Sequence, residues 1–430
     1  MNYQNTLEFA QQQDQQDKLN HFRDKFHFPT KLHEQVIYFC GNSLGLQPKS
    51  IQNSIDKELQ HWQNYAVEGH FLGDHPWMDY HKALKKPMTA IFGAQENELT
   101  VMNSLTVNLH LMMATFYRPT PTRYKILMEA GAFPSDQYAM ESQAKLHGFE
   151  YEDAVVEIAP REGEHIIRTE DILSTIEQLS DSLALVMFSG VNYYTGQVFD
   201  MPAITNAGHK AGAFVGFDLA HAAGNVALQL HDWDIDFAVW CSYKYLNSSP
   251  GGVSGVFIHE KNATNTSLPR LAGWWGHNEE KRFLMERGFQ AMPNVDGWQL
   301  SNAQVLLQAA HFASLEIFEA AGMENLVEKS KKLTGFLEFV IKEASENNQY
   351  PIEIITPSEA RGCQLSMHVP QDGKKLFEFL HKHGVIGDWR EPNSIRIAPV
   401  PLYNSFVDVF RFGQILKNAI ETLQKSPKVV

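Results

Sequence analysis

Between about residues 100 and 260, short apolar runs alternate with helical patterns, and this alternation constrains the fold more than any other feature of the chain. The runs are Tyr124 to Met128, Val155 to Ile158, Leu183 to Ser189, Phe214 to Asp218, Ala238 to Cys241 and Val253 to Ile258. Each is short for a helix and suits a strand buried on both faces. Strands that alternate with helices predict an α/β fold, a doubly wound, mostly parallel sheet covered by helices, with its functional site beyond the carboxyl ends of the strands. After about residue 303 the pattern changes to two long helical stretches, Ala303 to Ala321 and Glu324 to Glu346. Short strands and helices follow through Arg361 to Val369, Lys374 to His383 and Ser394 to Ile397, which predicts a smaller α+β domain. The expected organisation is an N-terminal segment over 1–65 that packs with the small domain, a large domain over 66–302, and a small C-terminal domain over 303–430.

Composition narrows the function classes. Thirty-six Lys and Arg against fifty Asp and Glu give a net charge of -14, which opposes binding to nucleic acid or to an anionic membrane. The richest apolar stretch, Leu183 to Phe188, is far shorter than the ~20 residues of a spanning helix. No nucleic-acid partner and no membrane association are expected. The three cysteines, Cys40, Cys241 and Cys363, are odd in number and far apart, so neither a disulfide framework nor a CxxC metal site is expected. The N-terminal residues show no basic region followed by an apolar run, and a cytoplasmic location follows as the expectation. Residues 11–16 read Gln-Gln-Gln-Asp-Gln-Gln, a solvated helix or lead-in without evident chemistry.

The chemistry gathers at two strand ends. Asp218 closes Phe214-Val215-Gly216-Phe217, and His221 follows three positions later. Lys244 leaves the run that ends at Cys241 and precedes a Gly-rich loop over residues 248–255. Desolvation lowers the pKa of such a lysine from ~10.4 and makes it a usable amine nucleophile. A covalent link to pyridoxal phosphate, with Asp218 keeping the pyridine nitrogen protonated, fits both residues. A partly buried salt bridge between Asp218 and Lys244 fits the bare pair equally well. Asn103-Ser104-Leu105-Thr106 opens an apolar-periodic helix whose free first amides suit a phosphate, although an ordinary N-cap has the same look.

Several longer blocks carry a resemblance. Tyr38 to Pro48, Phe133-Pro134-Ser135-Asp136, Val215 to Ala222, Trp240 to Tyr245 and Gly273-Trp274-Trp275-Gly276-His277 together resemble kynureninase, closest to its animal-type branch, over residues 30 to 415. Kynureninases are fold-type-I pyridoxal phosphate enzymes of the class V aminotransferase-like superfamily. The resemblance implies hydrolysis of L-kynurenine or 3-hydroxy-L-kynurenine to L-alanine and anthranilate or 3-hydroxyanthranilate, in tryptophan degradation or NAD biosynthesis. It implies Lys244 as the lysine that carries the cofactor, Asp218 as partner of the pyridine nitrogen, and Tyr243 as a catalytic neighbour. It sets Leu105, Thr106, Phe133, Pro134, Ser135, Asp136, Ser189, His221, Trp274 and Asn302 around the cofactor, with Phe133 stacked on its ring. It assigns Arg396 to the amino-acid carboxylate, and His70, Ser301 and Asn302 to the aromatic end of a small-molecule, kynurenine-type substrate. A homodimer with shared active sites is implied as well.

Other readings fit less. No GxGxxG follows a strand, no GxxxxGK precedes Ser or Thr, and no HExxH occurs, so a nicotinamide enzyme, a phosphate-loop enzyme and a metal centre are not expected. The alternatives are another class V enzyme, such as a cysteine desulfurase or an aminotransferase, or an inactive cofactor-binding relative. A desulfurase needs a loop cysteine, whereas Cys363 reads as the start of a strand.

Overall fold

The structure, a computed structural model, describes residues 2–31 and 34–425. Seven strands form the main sheet: β1 (Leu99–Val101), β2 (Lys125–Glu129), β3 (Val155–Ile158), β4 (Leu183–Ser189), β5 (Phe214–Asp218), β6 (Phe237–Cys241) and β7 (Ser254–Ile258). Their spatial order is β1-β7-β6-β5-β4-β2-β3. From β3 to β6 neighbouring strands run parallel, whereas β7 is antiparallel to β6 and β1 is antiparallel to β7. The sheet is therefore the mostly parallel, helix-covered one that the alternation predicts. β1 escapes a reading by pattern because its three residues are too few to establish a period.

The period of two decides which core each strand side chain joins. Leu127, Val186, Phe188, Val215, Phe217, Ala238, Trp240 and Phe257 face one way, toward helices Tyr80–Phe92 and Val305–Ala321. Ile126, Met128, Leu185, Met187, Phe237, Val239, Val256 and Ile258 face the other, toward helix Leu105–Phe116. Because both faces are covered, β4, β6 and β7 carry continuous apolar runs rather than an alternation. Gly216 of β5 makes room for a neighbour, since a Cβ there would lie 2.1 Å from the ring of Phe237.

A second core lies in a four-stranded antiparallel sheet formed by Glu353–Ile354, Leu365–His368, Ser394–Ile397 and Asp388–Arg390, in that order. Helices Met323–Asn348, Gly373–Lys382 and Phe406–Lys425 cover it. Ala10, Ile37 and Phe39 are part of the same core, and Ile37–Tyr38 pairs in parallel with Val385–Ile386. The Gln-rich stretch belongs to helix Leu7–Gln16, of which only Ala10 is buried. Helix Val305–Ala321 places Ala309, Leu315 and Phe318 in the first core, and the second core takes over from Leu333. Among the described residues, no helix is long and apolar enough to cross a membrane.

A buried ion pair anchors the stretch that carries Ser301 and Asn302. Lys85 Nζ of helix Tyr80–Phe92 lies 2.6 Å from Asp296 Oδ2, and Gln299 Nε2 donates to Asp296 Oδ1 at 3.0 Å. Burial alone would raise the Asp296 carboxyl, but the Lys85 ammonium and His81 outweigh it and hold the group well below the usual carboxylate range. A carboxyl depressed in the folded state stabilises the fold above its unfolded pKa of ~4, and that contribution is lost as pH falls further. Lys85→Met leaves the carboxylate buried without its cation and is expected to cost ~3–5 kcal/mol in urea denaturation at pH 7. A loss below ~1 kcal/mol would show that this pair does not hold the segment.

Candidate active site

Glu129, Ser189 and Asp218 close β2, β4 and β5, three neighbouring strands of the sheet. Ser189 and Asp218 are register partners, and the Gly190 N–H donates to the Asp218 carbonyl at 2.7 Å. One strand further, the chain leaves β6 through Ser242-Tyr243-Lys244. The loop is fixed from outside by the Gly45 N–H, which donates to the Tyr243 carbonyl at 2.8 Å. The approach is so close that a Cβ on Gly45 would lie 2.4 Å from the Lys244 carbonyl oxygen.

Lys244 Nζ stands 3.0 Å from His221 Nε2 and 5.8 Å from the centroid of the Phe133 ring. Burial, and then the positive charges of Lys244, Arg396 and Arg390, push the His221 pKa well down, so the imidazole is neutral. Asp218 Oδ1 accepts the Ala220 N–H at 2.7 Å. Its carboxyl also meets that of Asp136, and two buried carboxyl groups in hydrogen-bond contact do not both ionise. The proton belongs on Asp136, which burial and then its acidic neighbours Asp218 and Glu129 push well up. Asp218 is raised by burial too, but Ala220 and Lys244 favour its charged form.

Two helix N-termini converge on the same space. Helix Leu105–Phe116 starts without a side-chain cap from Ser104, which leaves its first amides free of intrahelical partners. Helix Pro134–Leu146 starts beside it, and Thr106 Oγ1 lies 2.7 Å from Ser135 Oγ. The Tyr193 ring meets Phe133 edge-on at 5.3 Å. The cavity is lined by Leu105, Thr106, Phe133, Ser135, Asp136, Ser189, Val191, Tyr193, Asp218, Ala220, His221, Cys241, Tyr243 and Lys244.

Arg396 approaches from the small domain. It is almost wholly buried; one terminal nitrogen donates to the Tyr193 carbonyl at 2.7 Å, and the other bonds Asp388 and lies 3.3 Å from Ser43 Oγ. Its Nε is buried and has no protein partner.

The structure thus brings together ten of the sequence-predicted residues in one cavity: Leu105, Thr106, Phe133, Ser135, Asp136, Ser189, Asp218, His221, Tyr243 and Lys244. Arg396 reaches its edge through Tyr193. Pro134 is the first residue of its helix and does not line the cavity. His70, Trp274, Ser301 and Asn302 also lie outside the lining within the single chain. His70 Nδ1 pairs with the Val67 carbonyl at 2.9 Å, Trp274 Nε1 donates to the Arg282 carbonyl at 3.2 Å, and Ser301 and Asn302 are exposed. Sequence reading missed Glu129 and Tyr193, although both lie at or just beyond strand ends, where the position of sites in parallel sheets directs attention.

Glu98, His231 and His259 place ligand atoms within 4.8 Å of one another. Their geometry is that of a hydrogen-bonded cluster: the imidazoles stack at 13°, His231 Nδ1 pairs with Glu98 at 2.9 Å, and His259 Nδ1 accepts the Lys261 N–H at 3.2 Å. Stacked rings do not direct their lone pairs at one point.

A profile of the kynureninase C-terminal domain matches residues 326–416. The kynureninase of Flavobacterium psychrophilum is 58% identical over 422 residues, covering 98% of this chain and 99% of that protein. The kynureninase of Homo sapiens is 49% identical over 430 residues, covering 96% and 92%. Among solved structures, the cysteine desulfurase of Thermococcus onnurineus superposes with a TM-score of 0.70 at 17% identity over 90% of this chain and 95% of its own. The cystine C–S lyase C-DES, in complex with cysteine persulfide, superposes with 0.73 at 15% identity over 91% and 98%. A further C-DES structure has glycine covalently linked to its PLP cofactor.

Gly45→Ala tests the contact that fixes the lysine loop. The added methyl meets backbone and the Asn247 amide, so the loop must shift, and a loss of ~1–3 kcal/mol is expected in urea denaturation. Unchanged stability would mean that the loop yields freely.

Proposed function

The chain belongs to the kynureninase family, and from that membership and the cavity at Lys244 we infer a pyridoxal-phosphate-dependent hydrolase that cleaves kynurenine-type amino acids to L-alanine and an anthranilate. The observation that carries this reading is a lysine Nζ at a parallel-sheet edge, 3.0 Å from a neutral imidazole and beside a buried carboxylate pair.

The residues present fit the cofactor. Asp136 Oδ1 and His221 Nδ1 are buried polar atoms without protein partners, and the free amides at Leu105 and Thr106, with the Thr106 and Ser135 hydroxyls, suit a phosphate. Phe133 offers a flat apolar wall. When bound, pyridoxal phosphate supplies an electron sink for negative charge developing at the substrate's α carbon. Lys244 holds the cofactor and, once displaced by substrate, removes the α proton. Neutral His221 accepts a hydrogen bond from Lys244 and so orients its Nζ. Asp218, ionised beside protonated Asp136, keeps a proton on the pyridine nitrogen. Tyr243, whose phenol burial pushes up, stays protonated and serves as a proton donor. Arg396, whose Nε has no protein partner, holds the α-carboxylate. Water then adds to the side-chain ketone, the bond between the β and γ carbons breaks, and the aryl acid leaves.

The same reading covers His70, Trp274, Ser301 and Asn302 if a second copy of the chain brings them to the cavity. In support, Trp62, Val67, Phe71, Phe283, Leu284 and Met285 are exposed apolar residues, and the Phe71 and Phe283 rings meet at 6.3 Å, a face that a homodimer would cover. His70, Ser301 and Asn302 would pair a ring hydroxyl and favour 3-hydroxy-L-kynurenine. The free cysteines Cys40, Cys241 and Cys363 suit the reducing cytoplasm.

Borohydride reduction of the cofactor-loaded protein should label the peptide containing Lys244, and Lys244→Ala should lose the visible absorption band and ~10⁴-fold in turnover. A label on another lysine would overturn the assignment. Shared sites are tested by co-expressing Lys244→Ala with Asn302→Ala: mixed dimers should recover part of the parental activity, and no recovery would exclude them. Steady-state kinetics on both substrates should favour the hydroxylated one, with the preference lost in Ser301→Ala.

A further inference from the structure

Glu129 is 1% exposed and closes β2 within the row of strand ends that carries the cavity. Its carboxylate accepts the Ser189 N–H, at 3.2 Å to each oxygen, and the Ser189 hydroxyl. Ser189 lines the cavity and is the register partner of Asp218. An uncharged glutamine would offer Ser189 the same acceptor, so hydrogen bonding alone does not explain an acid in this place. The acidic neighbours of Glu129 are Asp136 and Asp218, and the one ammonium of the cavity, Lys244, is shared with those two carboxyls while His221 is neutral. Of these three buried carboxyl groups only Asp136 and Asp218 feel the lysine, so the three cannot all be charged, and their ionisation is mutually dependent.

We propose that Glu129 is a positioning residue that acts through Ser189: it locks the end of β4 against β2 and supplies a third carboxyl whose charge is opposed by charge on the Asp136–Asp218 pair and grows as that charge is neutralised. Burial, opposed by the two Ser189 donors, sets its pKa at about 7, inside the range in which such an exchange occurs. Introducing a cation beside Asp218 draws Glu129 toward its charged form, and a charged Glu129 in turn favours any protonated group in the cavity. The inference rests on the cavity being the cofactor site.

The test is a pH titration of the visible absorbance of the pyridoxal-phosphate-loaded protein, together with cofactor Kd from fluorescence, in the parent, Glu129→Gln, Ser189→Ala and the double variant. Glu129→Gln keeps an acceptor for Ser189 and removes the charge. Its cofactor Kd is expected to stay within about threefold of the parent, while the titration midpoint falls by about half a unit or more. Ser189→Ala removes a donor that stabilises charged Glu129, so it should lower the midpoint by less, and that effect should vanish in the Glu129→Gln background. An unchanged midpoint in Glu129→Gln overturns the proposal. If that variant does not fold, a midpoint in Ser189→Ala equal to the parent's overturns it. A parent chain that binds no pyridoxal phosphate at all would instead sink the cofactor reading itself.

Discussion

Charge buried at the carboxyl edge of a parallel sheet is the constraint on which the rest of this molecule depends. Five parallel strands end at one edge, and their terminal side chains stand where helices no longer cover the sheet and water is still largely excluded. Lys244 and Asp218 are placed there, together with Asp136 and Glu129, groups that cost free energy in such a position unless they share protons and charges among themselves. The low polarity that makes each group costly also makes each sensitive to its neighbours, and this turns a structural liability into a set of tuned acids and bases.

The two cores serve this edge in different ways. The first supplies the sheet and the two helix N-termini beside the cavity, all fixed by side chains of alternating facing. The second brings in Arg396, whose guanidinium reaches across to the Tyr193 carbonyl of the first. Tyr193 therefore joins the aromatic wall, through Phe133, to the cation on the small domain. Closure of the cavity and placement of the cation are coupled by one residue that no motif of the chain announces.

How much of the site the sequence discloses depends on the kind of signal each residue leaves. Asp218, His221 and Lys244 sit in or next to buried strands, where a charged side chain contrasts with its surroundings. Glu129 ends a strand in the same manner, yet carries no neighbouring motif to mark it. Arg396 is inconspicuous in an ordinary strand of the small domain, and only a family resemblance connects it to residues some 150 positions away. His70, Trp274, Ser301 and Asn302 lie outside the cavity of the single chain, so the motifs that hold them do not by themselves place them at the site.

The sequence by itself determined the layered α/β class, six of the seven main strands to within a residue at either end, and the strand edge where the chemistry gathers. It could do so because burial on both faces imposes a local apolar pattern that composition preserves. Tertiary structure alone decided that β1 and β7 form an antiparallel margin, that helix Val305–Ala321 packs on the first core, and that Leu19, Phe22, Phe26 and Leu46 of the N-terminal segment join that first core too. It alone also joined Asp136 to Asp218 and Glu129 to Ser189. These are pairings between distant segments, and their strength comes from a shared loss of water that exists only once the chain has folded.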